Sequence, residues 1–249
     1  MIGATREGGG MDQVAEARWT AVRRLLAEFL IVALGVMAAL AADNWNDSRR
    51  ERDIERSFLD GIALDMEQNV AGINRTIGQA ERNKKALLRV MKGVETGVSQ
   101  WQSPDDFVRD LVRCTYLQVP TLSSITFDEL RSTGSMRLIR DLPFKRRLAE
   151  YYANFEYHSQ FHAEYRRKEA AVEEALLGFL PLRERLLISD DLQAPLASDV
   201  NVEEWLKRMQ QHPQLMDRLA DMVWVQHRIA TRYVDTRNQS EALLRELKE

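Results

Sequence analysis

Ala63–Val94 reads ALDMEQNVAGINRTIGQAERNKKALLRVMKGV, and its periodicity sets the fold class. Ala63, Val70, Ile77, Lys84 and Met91 recur at heptad spacing, and Met66, Ile73, Ala80, Leu87 and Val94 follow three positions after each. Such spacing lays an apolar stripe along one face of an α-helix and leaves that face in need of a partner. Two further segments supply partners. In one, Phe155, His162, Glu169 and Leu176 alternate with His158, Tyr165, Val172 and Phe179. In the other, Leu219, Gln226, Tyr233, Ser240 and Leu247 alternate with Leu215, Met222, Ile229, Thr236 and Leu243. Each stripe predicts a helix of roughly 40 to 50 residues, and helices of similar length pack side by side. Polar residues interrupt every stripe, which favours a heterogeneous intramolecular bundle over a regular homotypic coiled coil. Gly72 and Gly78 each cost a helix about 1 kcal/mol relative to Ala, so a kink or short break is expected there.

Outside the stripes the punctuation is legible. Pro104, Pro120, Pro143, Pro181, Pro195 and Pro213 fall between periodic segments and interrupt none. Ser103-Pro104-Asp105-Asp106 offers an N-cap serine, a proline at the first helical position and acids in the first turn. Thr126 to Glu129 and Asn201 to Glu204 read as capping boxes. Thr133-Gly134-Ser135 is a turn, after which Asp141 and Pro143 open the second striped segment. Strand signals are nearly absent, with only Tyr116 to Val119 reading as extended.

Upstream of the first stripe, Leu25–Ala42 reads LLAEFLIVALGVMAALAA and carries one charge, Glu28, in 18 residues, whereas the whole chain is 29% charged. At 1.5 Å per residue the run spans roughly 27 Å, close to the bilayer's hydrocarbon core of about 30 Å. Trp19 and Trp45 bracket it, roughly 39 Å apart on a continuous helix, as the two aromatic interface belts are. Glu28 lies in the first turn of the run, where the helix dipole favours an anion, although an intramembrane carboxylate also invites a functional reading. Gly35 and Ala39 form a small-xxx-small pair able to let two spans approach. Asn44, Trp45 and Asn46 close the run as interface residues. The expected organisation is therefore a disordered or interfacial tail (1–24), a transmembrane anchor (25–46) and a helical bundle (47–249).

Ala39-Leu40-Ala41 resembles a signal-peptidase site, but an uncleaved anchor is the expectation because the helix pattern continues past Ala42. Arg18, Arg23 and Arg24 precede the run, and Arg49, Arg50, Arg52 and Arg56 follow it. Arg23-Arg24 abuts the apolar segment more closely, which points to a cytoplasmic N-terminus and a large domain outside the cytoplasm.

Composition narrows the chemistry. A net charge of −3, with acids and bases interspersed, argues against a nucleic-acid partner. The single cysteine, Cys114, excludes an internal disulfide framework and reads as a small buried hydrophobe. No phosphate-binding glycine loop, nucleophile elbow or His-Glu-x-x-His pattern occurs. His158 and His162, four apart on one helix face with Glu169 two turns on, form the one weak metal-site candidate, and packing beside aromatics is the simpler reading. No cofactor is expected. Tyr151, Tyr152, Phe155, Tyr157, Phe161 and Tyr165 make an aromatic-rich stretch that reads as core.

Glu28 to Val36, Leu40 to Asn46, the stretch Phe127-Asp128-Glu129-Leu130-Arg131-Ser132-Thr133-Gly134, Leu138-Ile139 and Tyr151-Tyr152 together resemble a family of uncharacterised bacterial single-pass membrane proteins. In that family the span starts with a Gly-Glu-Ile-like step, holds a central Gly and ends in Asn-Asn-Trp-Asn before a charged helix. Asp43 and Ala27 depart from the pattern. The resemblance implies a retained span and assigns no chemistry; the expected location is the cell inner membrane. The expected protein is all-α: an N-terminal transmembrane helix followed by an elongated helical bundle. Its expected role is a non-catalytic membrane-anchored interaction module whose partners are the bilayer and a protein, or a second copy. An extracytoplasmic ligand-sensing bundle acting through a partner is the alternative, and a metal-dependent enzyme ranks third.

Overall fold

The computed structural model describes residues 10–176, 179 and 200–248, with side chains from Glu28 onward. Seven α-helices occur among the described residues: α1 (Gly10–Thr96), α2 (Pro104–Cys114), α3 (Ile125–Ser132), α4 (Leu142–Ser159), α5 (His162–Leu176), α6 (Val202–Gln210) and α7 (Leu215–Lys248). A 3-10 turn at Ser135–Leu138 precedes α4, and no strand occurs among the described residues. The fold is all-α. The chain divides into two compact units, Met1–Ser57 and Phe58–Glu249.

The described part of the first unit is helix from Gly10, inside the segment read as tail. It contains the apolar run, the one described helical stretch long and apolar enough to cross a membrane. None of that run is buried.

In the second unit α1 passes Gly72 and Gly78 without the expected break. Its buried face is also rotated by one position from the expected stripe. Met66, Ile73, Ala80, Leu87 and Val94 are buried as the spacing requires, but Ala63, Val70, Ile77, Lys84 and Met91 are only half-buried. The second buried row is Ile62, Asn69, Thr76, Asn83 and Val90. Three of those five are polar, so hydrophobicity alone assigned them to solvent. The burial of Asn69 and Asn83 has a tertiary cause.

That cause is the stretch of chain that includes α2 and leads into α3. From Trp101 to Thr126 it runs back along α1 in the opposite direction. Trp101 sits against Gly93, Asp110 pairs with Arg89, Tyr116 meets Asn83, Ser123 meets Asn69, and Thr126 lies against Gly61. Residues 116–124 are neither helix nor strand, so their backbone groups need partners from elsewhere. Side chains provide them. Asn69 binds Ser123 twice, accepting from its N–H at 2.7 Å and donating to its carbonyl at 3.0 Å. Tyr152 donates to the same carbonyl at 3.0 Å. Asn83 and Gln226 both donate to the Tyr116 carbonyl, at 2.8 and 3.0 Å. Glu169 accepts from the Leu117 N–H at 2.9 Å while Arg166 donates to the Leu117 carbonyl at 3.1 Å.

The second stripe is carried by two helices rather than one, since α4 ends at Ser159 and α5 begins at His162. Both run antiparallel to α7 in one continuous register. Arg147 pairs with Glu246, Ser240 with Tyr151, His162 with Tyr233, Tyr165 with Trp224, Lys168 with Asp221 and Arg218 with the Ala171 carbonyl. The third stripe lies on α7, and apart from half-buried Leu247 both of its rows are buried.

Most caps are as expected. Ser103, Asp141 and Asn201 accept from the N–H three residues on, at 3.2, 2.9 and 3.1 Å. Gly97 and Gly134 adopt left-handed backbone, with φ of 67° and 70°, where the chain leaves α1 and α3. The Thr126 box does not form: α3 starts two residues earlier than that box requires, and its N-cap Ser124 makes no side-chain capping bond. Asp65 of α1 takes that role, accepting from the Thr126 N–H at 3.0 Å and the Ser123 hydroxyl at 2.5 Å. Cys114 is fully buried, and desolvation, helped by Asp110, raises its thiol pKa against the opposing pull of Arg89.

Candidate functional site

His158 lies in the last turn of α4 and His162 begins α5, so the two imidazoles lie on either side of the Gln160-Phe161 turn. Glu169 does not join them. Both of its carboxylate oxygens are committed, one to the Leu117 N–H and the other to Arg166 at 2.8 Å. His162 Nε2 lies 2.5 Å from the Tyr233 hydroxyl. No group of three or more His, Cys, Asp or Glu side chains converges among the described residues. The spacing that suggested a metal site is divided by the helix break and by the demand of Leu117 for a backbone acceptor.

What the break assembles is an aromatic and basic cluster with α7. Trp224, Arg228 and Arg232 follow one another at four-residue spacing and share a helix face. The Arg232 guanidinium lies 4.4 Å above the Phe161 ring, and that of Arg228 lies 5.5 Å from Trp224. Such cation–π contacts orient a guanidinium without neutralising it. Tyr165 packs edge-on against Trp224 with ring centroids 6.2 Å apart. Lys168 also faces Trp224 but is paired with Asp221 at 2.8 Å.

The polar atoms of this cluster are under-satisfied. Tyr165 Oη, His158 Nδ1, Arg228 Nε and Arg232 Nη1 are buried and have no hydrogen-bond partner among the described residues. Burial raises the Tyr165 pKa, with Glu164 adding to it, and the fields of Arg232 and Arg228 oppose the rise. Burial lowers the pKa of His158, and Arg232 lowers it further against Asp235. Desolvation, then Arg166, then His158 lower that of His162. The cluster therefore combines neutral imidazoles and a neutral phenol, which can donate or accept, with two guanidinium groups, which can only donate.

The remaining aromatic candidates are structural. Tyr151 is buried, accepts from the Ser240 hydroxyl at 2.8 Å and has its phenol pKa pushed up to about 12, chiefly by desolvation. Tyr152 stacks on Phe127 at 4.3 Å. In the apolar run Trp45 is 64% exposed, Asn44 and Asn46 are exposed, and a side chain at Gly35 would meet no atom within 4 Å. Glu28 is exposed, and Trp19 lies on α1 ahead of the described side chains.

Sequence reasoning missed Arg228, Arg232 and Trp224. The available signal was a Trp-Arg-Arg row with no acid in the row to pair with either cation. No family model, curated protein or solved structure matches this chain, so its site rests on geometry alone.

Proposed function

We propose that this protein is a membrane-anchored helical interaction module without catalytic activity. It would be held by one span in the inner membrane, with its large domain outside the cytoplasm, like the bacterial single-pass proteins that its span resembles. One observation carries the reading. Phe29, Leu30, Ile31, Val32, Leu34, Val36, Met37 and Leu40 are each between 54% and 70% exposed and point all round α1. At about 1.5 kcal/mol or more for each large apolar side chain taken out of water, their exposure would cost on the order of 10 kcal/mol. That is as much as a typical domain's whole stability, so this segment needs a cover. A bilayer covers a helix that is apolar on every face, whereas a partner helix covers one stripe.

Beyond the bilayer, the proposed partner is a protein or a second copy of the chain. An extracytoplasmic ligand-sensing bundle acting through a partner is the alternative reading.

The test fuses alkaline phosphatase and a cytoplasm-only fluorescent reporter separately after Glu249. Membrane-bound protein with active phosphatase is expected. A fluorescent, phosphatase-negative result would reverse the orientation. A product shortened by about 40 residues and free of the membrane would mean cleavage after Ala41 and would remove the anchor. Crosslinking in native membranes followed by mass spectrometry would identify the partner.

A further inference from the structure

We propose that the basic turn between α3 and α4 docks on anionic headgroups of the bilayer that holds the apolar run, giving the bundle a membrane contact of its own. Acids and bases alternate along most of the chain, whose net charge is −3, but residues 131–147 carry six Lys or Arg against one acid, Asp141. The six are Arg131, Arg137, Arg140, Lys145, Arg146 and Arg147, and all but half-buried Lys145 are exposed. Residues 47–56, which lead from the run to the bundle, instead balance four Arg with four Asp or Glu. The positive excess therefore belongs to the folded bundle and not to its tether.

Packing gathers these cations. The 3-10 turn packs against α3, and Lys145 of α4 donates to the Met136 carbonyl at 3.3 Å. That bond folds the turn carrying Arg137 against the helix carrying Arg146. Leu142 is 49% exposed and lies one helical turn before Arg146, on the same face of α4. Bases beside an exposed apolar side chain suit the boundary between headgroups and acyl chains. Among the described residues neither Arg137 nor Arg146 forms an ion pair, and Glu129 on α3 and Glu150 on α4 pair with neither. Asp141 is engaged as the α4 cap and Asp128 by the Ser124 hydroxyl at 2.6 Å, while Arg147 is paired with Glu246.

The place of the turn in the bundle favours a bilayer over a soluble polyanion. The Ser123 carbonyl accepts from both Asn69 and Tyr152, so α1 and α4 lie side by side at that level. Both run antiparallel to α7, since Lys248 pairs with Glu67 while Gln226 and Asn83 share the Tyr116 carbonyl. The start of α4 therefore lies at the end of the bundle where α1 enters, at Phe58. Thirteen positions separate Phe58 from Trp45, so docking on the bilayer around the run is intramolecular and gains from a high effective concentration. Each Lys or Arg brought to an anionic surface strengthens such a contact about fivefold.

The inference rests on the anchor reading, and its test separates the two. Full-length Ser132→Cys protein, altered at an exposed position of α3, is labelled with an environment-sensitive dye; Cys114 is fully buried and stays unlabelled. It is reconstituted in vesicles of phosphatidylcholine alone or with about one third phosphatidylglycerol, each carrying spin-labelled lipid that quenches the dye on contact. Flotation with the vesicles reports the anchor, and quenching reports docking. Flotation is expected in both, with strong quenching only where phosphatidylglycerol is present. The quenching should disappear in about 0.5 M sodium chloride, where the screening length is about 4 Å.

Arg137→Gln with Arg140→Gln and Arg146→Gln should lower the ratio of docked to undocked protein at least tenfold and leave flotation unchanged. Arg146→Gln alone should lower it severalfold, and decides the matter if the triple variant does not fold. Flotation with equal quenching in the two vesicle types would leave these cations to solvent or to an acidic partner and would overturn the inference, with the anchor retained. Wild-type quenching in the folded triple variant, or in Arg146→Gln, would overturn it equally. Loss of flotation from phosphatidylcholine vesicles would overturn the anchor reading and, with it, the tether on which docking depends.

Discussion

Replacing Asp65 by Ala removes a helix cap supplied from another helix, and the structure sets the expected cost. The carboxylate is 5% exposed, accepts from the Thr126 N–H at 3.0 Å and from the Ser123 hydroxyl at 2.5 Å, and stands in for a capping bond that Ser124 does not make. Hydrogen bonds to a charged acceptor contribute about 1.5 to 3 kcal/mol each. The Ser123 hydroxyl can rotate toward another acceptor, so its loss falls at the low end. The Thr126 N–H cannot, and it also loses the favourable anion at the start of α3. The sum is about 3 kcal/mol for Asp65→Ala, and about half that for Asp65→Asn, whose amide oxygen keeps one acceptor without the charge.

For a domain of this size 1 kcal/mol lowers the midpoint by roughly 2 to 4 °C, so Asp65→Ala should melt about 6 to 12 °C below wild type. Near-ultraviolet circular dichroism of the full-length protein in detergent follows tertiary packing and avoids the helical signal of the apolar run. Hydrogen exchange resolved at the start of α3 should show Thr126 losing protection ahead of α7. A midpoint within about 2 °C of wild type, with Thr126 protection intact, would refute the capping argument.

Three further outcomes are expected. Gly93→Ala would place a Cβ 2.8 Å from the Trp101 ring and 3.3 Å from Leu206, so denaturant unfolding should show a loss of about 1 to 3 kcal/mol. Gly72→Ala meets only the end of Arg75, at 3.9 Å, and should stabilise by about 0.5 to 1 kcal/mol in the same assay. Leu34→Arg, near mid-span, should cost roughly 3 kcal/mol of insertion free energy and shift part of the population out of the membrane fraction; full retention would count against a bilayer span.

Stability should also fall in mild acid. The folded pKa values of His158 and His162 lie below the ordinary histidine value, so the unfolded chain takes up protons first. Their contribution is present above about pH 6.5 and is lost as the pH falls from there toward the folded pKa values. His158→Gln with His162→Gln should flatten the dependence between about pH 7 and 5 in urea titrations, and an unchanged slope would contradict the burial argument.

The helical class, the anchor-length run and most caps are local properties, and the sequence by itself determined them. Heptad spacing needs only the 3.6-residue turn, and an N-cap such as Ser103, Asp141 or Asn201 bonds to a group three residues away. The third stripe was legible for the same reason, its few polar members Gln226, Thr236 and Ser240 being outnumbered by apolar ones. What only tertiary structure decided is where polar side chains are wanted inside. Asn69 and Asn83 look like surface residues until residues 116–124 cross α1 with an unpaired backbone that they satisfy. Glu169 was withdrawn from the histidines by Leu117, fifty-two positions away. The Tyr165 cluster belongs to this second kind, because a donor counts as unmet only once its surroundings are packed. Periodicity is written along one helix, whereas satisfaction of a buried polar group depends on whichever segment the fold brings against it.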